Sequence, residues 1–300
     1  MEHKIRLSPE SRADDPKADK ARRDGTHEVH SDLAYKLLTL ANVVFFGPSG
    51  AGDRQWVLID CGIPGSAAAI QTAALARFGP GVRPSAIVLT HGHIDHVGAL
   101  EQLSTEWECP VFAHELELPY LNGSAAYPPP DPTVGGGMMS LASKLFPRGP
   151  VDVHHRLHML PAEGVIPGMP GWKWLHTPGH TPGHVSLWRE EDRTLLVGDA
   201  FITTTQESAY AVAAQRPDLH GPPMYFTPDW KKARESVEML AALEPEVVVT
   251  GHGRAMRGPE MLKALHLLAR YFDRIAVPEH GRYVSAPATV ENGAVYEPAR

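Results

Sequence analysis

Four side chains of the types that bind transition metals lie within one six-residue stretch of this chain. The motif His-Gly-His-Ile-Asp-His occupies residues 91–96 and follows an apolar run at residues 86–90, which predicts a short buried strand. Residues 97–103 behind the motif can open a helix. The motif therefore lies in a loop that leads from a strand to a helix.

The spacing within this motif allows two metal ions to lie side by side. Alternate residues His91 and His93 can point the same way and bind one cation, while Asp95 and His96 turn towards a second. Imidazole and carboxylate ligands together favour Zn²⁺, Fe or Mn over the all-oxygen sites of Ca²⁺ and Mg²⁺. Spacing alone leaves an alternative open, because 17 histidines in 300 residues guarantee close neighbours and a solvated loop needs no metal.

Composition excludes several classes of partner. A chain of 300 residues with 43% hydrophobic side chains can bury a large core. Its net charge of -7 lacks the basic surplus that attracts nucleic acid, so we expect a small-molecule substrate and no nucleic-acid partner. We also expect a cytoplasmic protein without a membrane partner, because no run resembles a signal peptide or a membrane span.

The domain organisation follows from changes in composition along the chain. Residues 1–25 are polar and without hydrophobic periodicity, which predicts a disordered arm. Residues 26–277 are predicted to form a single domain, and residues 278–300 a C-terminal tail. Within the domain, residues 118–171 are rich in proline and glycine, which indicates an insertion over the active site.

Short apolar runs predict two sets of strands, one before the insertion and one after it. The first set lies at residues 43–46, 56–60 and 86–90, with a helix at residues 66–78. The second lies at residues 172–176, 185–188, 194–197 and 247–249, with a final helix at residues 261–275. Another helix is predicted to begin with Thr227 as its cap and Pro228 at its first position. The repeated order predicts two sheets covered outside by helices.

Three further metal-ligand side chains follow the ends of later strands. His180, Asp199 and His252 each come after an apolar run and have a glycine immediately before them. Together with the residues at 91–96, in this order along the chain, they resemble the metallo-β-lactamase superfamily. The resemblance covers about residues 40–255 and implies an α/β (α+β) fold, the four-layer αββα sandwich.

The resemblance also implies a role for each ligand. Two divalent metal ions are expected, with Zn as the first choice and Fe or Mn as alternatives. The first ion would be bound by His91, His93 and His180, the second by Asp95, His96 and His252, with Asp199 bridging both. A hydroxide bridging the two ions would be the nucleophile. Asp95 would also act catalytically, by passing a proton to the leaving group.

Several residues near the motif are predicted to support the site rather than bind metal. His184 repeats the Thr-Pro-Gly-His unit that contains His180, and Asp60 resembles the family's aspartate that supports the first histidine loop. His114 and His176 are interpreted as buried, hydrogen-bonded histidines. Arg254 could meet a substrate carboxylate or lie free on the surface. Aromatic or soft side chains are candidates for the rim of the site: Tyr120, Tyr127, Met138, Met139, Tyr225 and Phe226.

The bridging aspartate also bears on the reaction. Asp199 occupies the position at which the best-known zinc β-lactamases carry a cysteine or no ligand, whereas the glyoxalase II and lactonase branches share the aspartate. Glyoxalase II adds a helical C-terminal domain, and only 48 residues follow His252 here. We therefore expect hydrolysis of an ester, lactone or thioester by a monomer or homodimer. The alternatives are a mononuclear iron persulfide dioxygenase, a β-lactamase or a non-catalytic metal-binding protein.

Overall fold

Two β-sheets lie face to face, and helices cover the outer side of each. The computed structural model describes residues 4–14, 25–149, 151–208, 210 and 217–299. Its strands are β1 (Ile5–Arg6), β2 (Thr26–His30), β3 (Leu33–Leu37), β4 (Asn42–Phe46), β5 (Val57–Ile59), β6 (Ala86–Val88), β7 (Val111–Ala113), β8 (Ala125–Ala126), β9 (Leu157–Met159), β10 (Trp172–His176), β11 (Val185–Arg189), β12 (Thr194–Gly198), β13 (Asp218–Leu219), β14 (Val247–Thr250), β15 (Met256–Arg257) and β16 (Glu297–Pro298). Its α-helices are α1 (Ala67–Phe78), α2 (Ile94–Val97), α3 (Leu100–Glu106), α4 (Leu118–Leu121), α5 (Met138–Ala142), α6 (Trp230–Ala242), α7 (Gly258–Arg270), α8 (Phe272–Ile275) and α9 (Arg282–Ser285).

The order of strands in each sheet is simple. The first sheet follows the order β2-β3-β4-β5-β6-β7-β9, antiparallel up to β5 and parallel from β5 onwards. The second follows the order β10-β11-β12-β14-β15, in which only β12 and β14 run parallel. Two short pairs, β1-β13 and β8-β16, lie outside these sheets.

Side chains alternate between an inner and an outer core along the strands. In β5, Val57 and Ile59 pack into the core between the sheets, whereas Leu58 packs against α1. In β14, Val249 faces the inner core and Val248 packs with α6 and α7 on the other side. This alternation is what a strand buried on both faces requires. One core lies between the two sheets, and one lies between each sheet and its outer helices. This arrangement confirms the predicted α/β four-layer αββα sandwich.

The loops that carry the predicted ligands meet at one edge of the two sheets. The 91–96 loop follows β6, Asp199 follows β12 and His252 lies just after β14. Hydrogen bonds tie the sheets together at this edge, where the Val185 N–H donates to the Thr90 carbonyl over 2.9 Å. The Asn42 side chain also donates to the Thr250 carbonyl over 2.8 Å. The fold therefore brings distant ligands to one place.

The prediction of an arm over residues 1–25 is wrong for residues 4–14, which pack on the domain. Strand β1 pairs with β13, and the Ser8 hydroxyl donates to Glu260 over 2.6 Å. These partners lie more than 200 residues away in the sequence, so local composition could not reveal them. Residues 15–24, within the predicted arm, lie outside the described residues.

The start of helix α6 also differs from the prediction. Its N-cap is Asp229, whose carboxylate accepts a hydrogen bond from the Lys232 N–H over 3.0 Å. Thr227 lies outside the helix, and its hydroxyl donates to the Pro223 carbonyl over 2.8 Å. The same hydroxyl lies 3.3 Å from the His180 ring, so this threonine belongs to the site rather than to a helix cap.

The proline-rich insertion and the C-terminal segment pack on each other. Strand β8 pairs with β16, and the Tyr120 hydroxyl donates to the Val295 carbonyl over 2.6 Å. Later in the insertion, β9 joins the edge of the first sheet beside β7. The limits of the domain and its insertion stay predictions. Across the described ranges, no helix combines the length and apolar character needed to cross a membrane.

Candidate metal centre

The loop after β6 is held in a tight turn against the end of β5. The Cys61 N–H donates to the His96 carbonyl, and the Gly98 N–H donates to the Gly62 carbonyl over 2.7 Å. A Cβ atom on Gly98 would lie 2.1 Å from the Pro64 nitrogen, so only glycine allows this approach. The short helix α2 then carries Asp95 and His96, and the His96 ring lies beside that of His91 with centroids 4.2 Å apart.

Three buried histidines form the first group of ligand atoms. His91 and His93 come from the loop after β6, and His180 comes from the loop between β10 and β11. The ligand atoms of these three residues all lie within 4.8 Å of one another. His93 Nδ1 and His180 Nε2 are 2.9 Å apart. The structure thus brings together the three residues predicted for the first metal.

A second group contains one carboxylate and two histidines. Asp95, His96 and His252 also place their ligand atoms within 4.8 Å of one another. The Asp95 Oδ2 atom is 3.5 Å from His252 Nε2. Asp95 is 17% exposed at its side chain, whereas His96 and His252 are fully buried. The second group therefore reaches the solvent through its aspartate.

The carboxylate of Asp199 lies between the two groups. Its Oδ2 atom is 3.4 Å from His180 Nε2 in the first group. The same oxygen is 2.9 Å from His252 Nε2 and 3.6 Å from His96 Nε2 in the second group. One carboxylate oxygen is therefore within reach of ligand nitrogens from both groups, as a bridging ligand requires.

Most of the histidine rings are oriented by a contact on the nitrogen that faces away from the centre. The Leu40 carbonyl accepts from His252 Nδ1 over 2.7 Å, and Asp60 Oδ2 accepts from His96 Nδ1 over 2.9 Å. Asp60 also accepts from the Thr90 N–H over 2.8 Å, which supports the loop after β6 as predicted. Such contacts fix the ring orientation and leave the other nitrogen available for a metal.

Buried polar atoms at the centre fit divalent cations. Nε2 of His91, Nε2 of His96 and Oδ1 of Asp199 are buried and have no hydrogen-bond partner among the described residues. Buried polar atoms are normally paired, so three of them converging on one point indicate a missing ligand. Gly251 keeps the space open, because a Cβ there would lie 2.0 Å from Asp199 Oδ1.

The pKa values of the histidines differ between the two groups. Burial lowers the pKa of His91 and His180 well below the ordinary value, and that of His93 to about 4. These rings are neutral at pH 7, as metal ligands must be. Burial also opposes the charged form of His252, but the carboxylate of Asp199 overcomes it and raises the pKa of this ring.

His184 holds Asp199 in place. Its Nε2 atom accepts a hydrogen bond from the Asp199 N–H over 2.8 Å, and its Nδ1 lies 3.1 Å from the Thr177 carbonyl. Nδ1 therefore carries the proton and Nε2 is occupied, in line with a pKa that burial lowers to about 3. The ring orients Asp199 through its backbone N–H, as expected of a histidine outside the predicted ligand set.

Some of the residues predicted for the rim of the site lie beside it, and others lie away from it. The rings of Tyr127 and Phe226 lie against His93, with centroids 4.4 and 4.8 Å away, whereas Met138 is 71% exposed. The side chain of Arg254 forms an ion pair with Asp14 over 2.8 Å, so it is neither free nor directed at a substrate.

The prediction that His114 and His176 are both buried is correct for His114 alone. His114 is buried, but His176 is exposed and stacks on it with ring centroids 4.2 Å apart. The His176 ring also donates to the Pro182 carbonyl over 2.8 Å. His176 is the last residue of β10, the strand at the edge of the second sheet.

Comparison with known proteins decides the family. The sequence pattern described as "Metallo-beta-lactamase superfamily" matches residues 38–252. The chain is 46% identical over 237 residues to the "Probable metallo-hydrolase YflN" of Bacillus subtilis, a match that covers 79% of this chain and 89% of that protein. The chain belongs to the metallo-β-lactamase superfamily.

Two further matches agree with this assignment. The "Probable metallo-hydrolase YybB" of Bacillus subtilis is 33% identical over 222 residues, covering 74% of this chain and 86% of that protein. The crystal structure of a β-lactamase domain protein from Burkholderia ambifaria superimposes with a TM-score of 0.59 at 21% identity. That match covers 87% of this chain and 80% of the other, and it shows the shared fold.

A buried glutamate that the sequence analysis missed joins the two histidine loops of this superfamily member. Glu117 Oε2 accepts from the Gly92 N–H over 2.9 Å and from the Tyr127 hydroxyl. Its Oε1 accepts from the Thr181 hydroxyl over 2.7 Å and from the Gly183 N–H over 2.8 Å. Glu117 thereby fixes the loop of His91 and His93 relative to the loop of His180.

Only a carboxylate can make this set of contacts. Both ends of the side chain face a backbone N–H, so both ends must accept. Burial raises the pKa of Glu117, and the four donors oppose this shift by favouring the ionised form. No motif marks this residue in the sequence, because its partners lie 10 to 66 residues before or after it.

We predict that Gly251→Ala abolishes tight metal binding while the fold persists. The new methyl group would displace the Asp199 carboxylate and press on the His96 ring, whose Cε1 would lie 2.8 Å away. Competition with a chromophoric chelator should show a loss of at least about tenfold in affinity. The control is Gly52→Ala, whose Cβ meets only the flexible Gln55 side chain at 3.4 Å. Equal affinities for the two variants would contradict the proposed geometry.

We predict that Glu117→Gln weakens metal binding by about 10–100-fold. However the amide is turned, its NH₂ faces the N–H of Gly92 or Gly183, so one loop must shift. Titration with Co²⁺, followed by its absorption spectrum, measures both affinity and geometry. Glu115→Gln makes the same chemical change at an exposed position two residues away and should leave the titration unchanged. A normal Co²⁺ spectrum in Glu117→Gln would disprove this role.

Proposed function

We propose that this protein is a metal-dependent hydrolase that cleaves an ester, lactone or thioester. The observation that carries the proposal is the position of Asp199 Oδ2, within 3.6 Å of ring nitrogens from both ligand groups. Bacillus subtilis relatives carry the name "probable metallo-hydrolase", and members of this superfamily bind divalent metals. Two such ions lower the pKa of bound water and polarise a carbonyl.

The seven candidate ligands form two groups of three residues and one shared residue. We infer that His91, His93 and His180 hold one ion and that Asp95, His96 and His252 hold the other, with Asp199 shared. Zn²⁺ is the ion that suits this set of imidazoles and carboxylates, with Fe and Mn as alternatives. Asp60 and His184 orient His96 and Asp199 by hydrogen bonds of 2.9 and 2.8 Å.

Asp95 is the ligand best placed for proton transfer. Its side chain is 17% exposed, whereas that of His252, 3.5 Å away, is 1% exposed. A leaving group that departs towards solvent meets Asp95 first, and this carboxylate can deliver the proton that the leaving group needs.

The lining of the adjacent pocket supports an uncharged, partly apolar substrate at the reacting end. His93 and His180 form its floor, and Tyr127, Pro129, Phe226 and Tyr283 contribute apolar walls. The space between these walls is narrow, so they exclude water from the metal ligands, and a hydrocarbon portion would lie along the mouth of the pocket.

Metal content and a substrate screen test the proposed function. We expect about two equivalents of divalent metal per chain, measured after dialysis, as a dinuclear site requires. We also expect hydrolysis within a panel of esters, lactones, thioesters, phosphoesters and β-lactams, at a rate independent of oxygen. One iron per chain, with oxygen uptake in the presence of glutathione persulfide, would instead establish the sulfur-dioxygenase alternative.

We predict that Asp95→Asn lowers kcat by about 10²–10⁴-fold while the protein still binds metal. The asparagine amide keeps an oxygen that can bind metal. Unlike the carboxylate, it cannot take up a proton and pass it to the leaving group. Asp273→Asn, at a 71% exposed aspartate, is the matched control and should keep full activity. Unchanged kcat in Asp95→Asn would remove this residue from the mechanism.

A further inference from the structure

A second pocket, with a cationic lining, adjoins the apolar pocket over the metal centre. Its walls include three cationic side chains, Lys144, Arg148 and Arg282, together with the proline-rich segment at residues 129–132. We call it the basic pocket. It lies where the insertion and the C-terminal segment meet, and none of its cationic residues has a role in the metal centre.

The charge of this basic pocket is only partly neutralised. Asp131 is its acidic member, and its carboxylate already accepts hydrogen bonds from Thr133 and from the Arg282 N–H. Arg148 forms an ion pair with Glu297 over 2.6 Å. Within the part of the chain described, neither Lys144 nor the Arg282 guanidinium forms an ion pair, although the guanidinium donates to the Pro129 carbonyl over 3.4 Å and its charge lowers the pKa of Asp131. Two cations therefore face the pocket on a protein with a net charge of -7.

The basic pocket and the apolar pocket share a wall. Pro129 lines both, and the consecutive residues Arg282 and Tyr283 line one each. The chain from Tyr127, whose ring lies against His93, to Asp131 can span at most roughly 14 Å when extended. The Arg148 guanidinium donates to the Tyr127 carbonyl over 2.7 Å and so links the two pockets directly.

We propose that the basic pocket binds the carboxylate at the far end of the substrate. The substrate is then an ester or thioester with an anionic end, an apolar middle section and its reacting carbonyl at the metal centre. This inference rests on the proposed hydrolase function and adds the class of substrate to it. Lysine and arginine suit a carboxylate through charge-assisted hydrogen bonds, and a local positive field offsets the negative charge of the protein.

A pair of esters of equal length tests the basic pocket. Mono(4-nitrophenyl) suberate and 4-nitrophenyl octanoate both have eight carbons in the acyl chain and differ in the terminal carboxylate. For the variant Lys144→Ala/Arg282→Ala, we expect kcat/KM to fall about tenfold for the suberate ester and less than about twofold for the octanoate ester. High salt screens charges, so it should also reduce the preference of the wild type for the suberate ester over the octanoate ester.

Two controls separate specific recognition from general effects of charge and length. Lys173→Ala/Lys263→Ala removes the same number of charges from exposed positions outside the pocket and should leave both esters unchanged. Mono(4-nitrophenyl) succinate carries its carboxylate four carbons closer to the ester, so we expect its hydrolysis to respond less to the pocket variant than that of the suberate ester. An equal loss on all esters, or none on any, would overturn the proposal.

A binding measurement distinguishes failure of the pocket from failure of the proposed function. Suberate monoamide has the carboxylate and the chain but no ester, and calorimetry follows its binding without turnover. Weaker binding to the pocket variant, in a protein that hydrolyses no ester, would support the pocket and refute the hydrolase. Equal binding to wild type and variant would refute the pocket whatever the protein hydrolyses.

Discussion

The buried carboxylate of Asp199, lying between two groups of histidines, is the interaction on which the rest of the site depends. A charge removed from water is costly unless it is compensated, and here ring nitrogens from His96, His180 and His252 approach one oxygen within 3.6 Å. Its other oxygen has no hydrogen-bond partner in the described structure, and a second cation would compensate its charge. The hydrogen bond from its N–H to His184 and the space left by Gly251 serve the same carboxylate.

Two other buried carboxylates keep the ligand loops in register. Asp60 joins the end of β5 to the loop after β6 and orients His96, while Glu117 joins that loop to the loop of His180. Each accepts hydrogen bonds from backbone N–H groups, so each fixes the path of the main chain as well as a side chain. These hydrogen bonds hold the main chain of the histidine loops. A single substitution at Asp60 or Glu117 can therefore displace several candidate ligands at once.

The sheets could be predicted from the sequence, and the candidate ligands recognised, because both signals are local, whereas the role of Glu117 depends on distant contacts. Apolar strands that end in a ligand and a glycine can be recognised within a few residues, as at β12 and β14. Glu117 has no such signal, and the packing of β1 on β13 joins segments more than 200 residues apart. The cap of α6 was misassigned by two residues because Thr227 and Asp229 are both good capping residues, and tertiary contact with His180 decided between them.

Anomalous diffraction from crystals grown with Zn²⁺ tests the shared role of Asp199 most directly. The structure predicts two peaks roughly 3.5–4 Å apart, the spacing of dinuclear sites, with the carboxylate of Asp199 touching both. One peak should lie among His91, His93 and His180, and the other among Asp95, His96 and His252. A single peak, or two peaks of which only one contacts Asp199, would contradict a bridging role for this carboxylate.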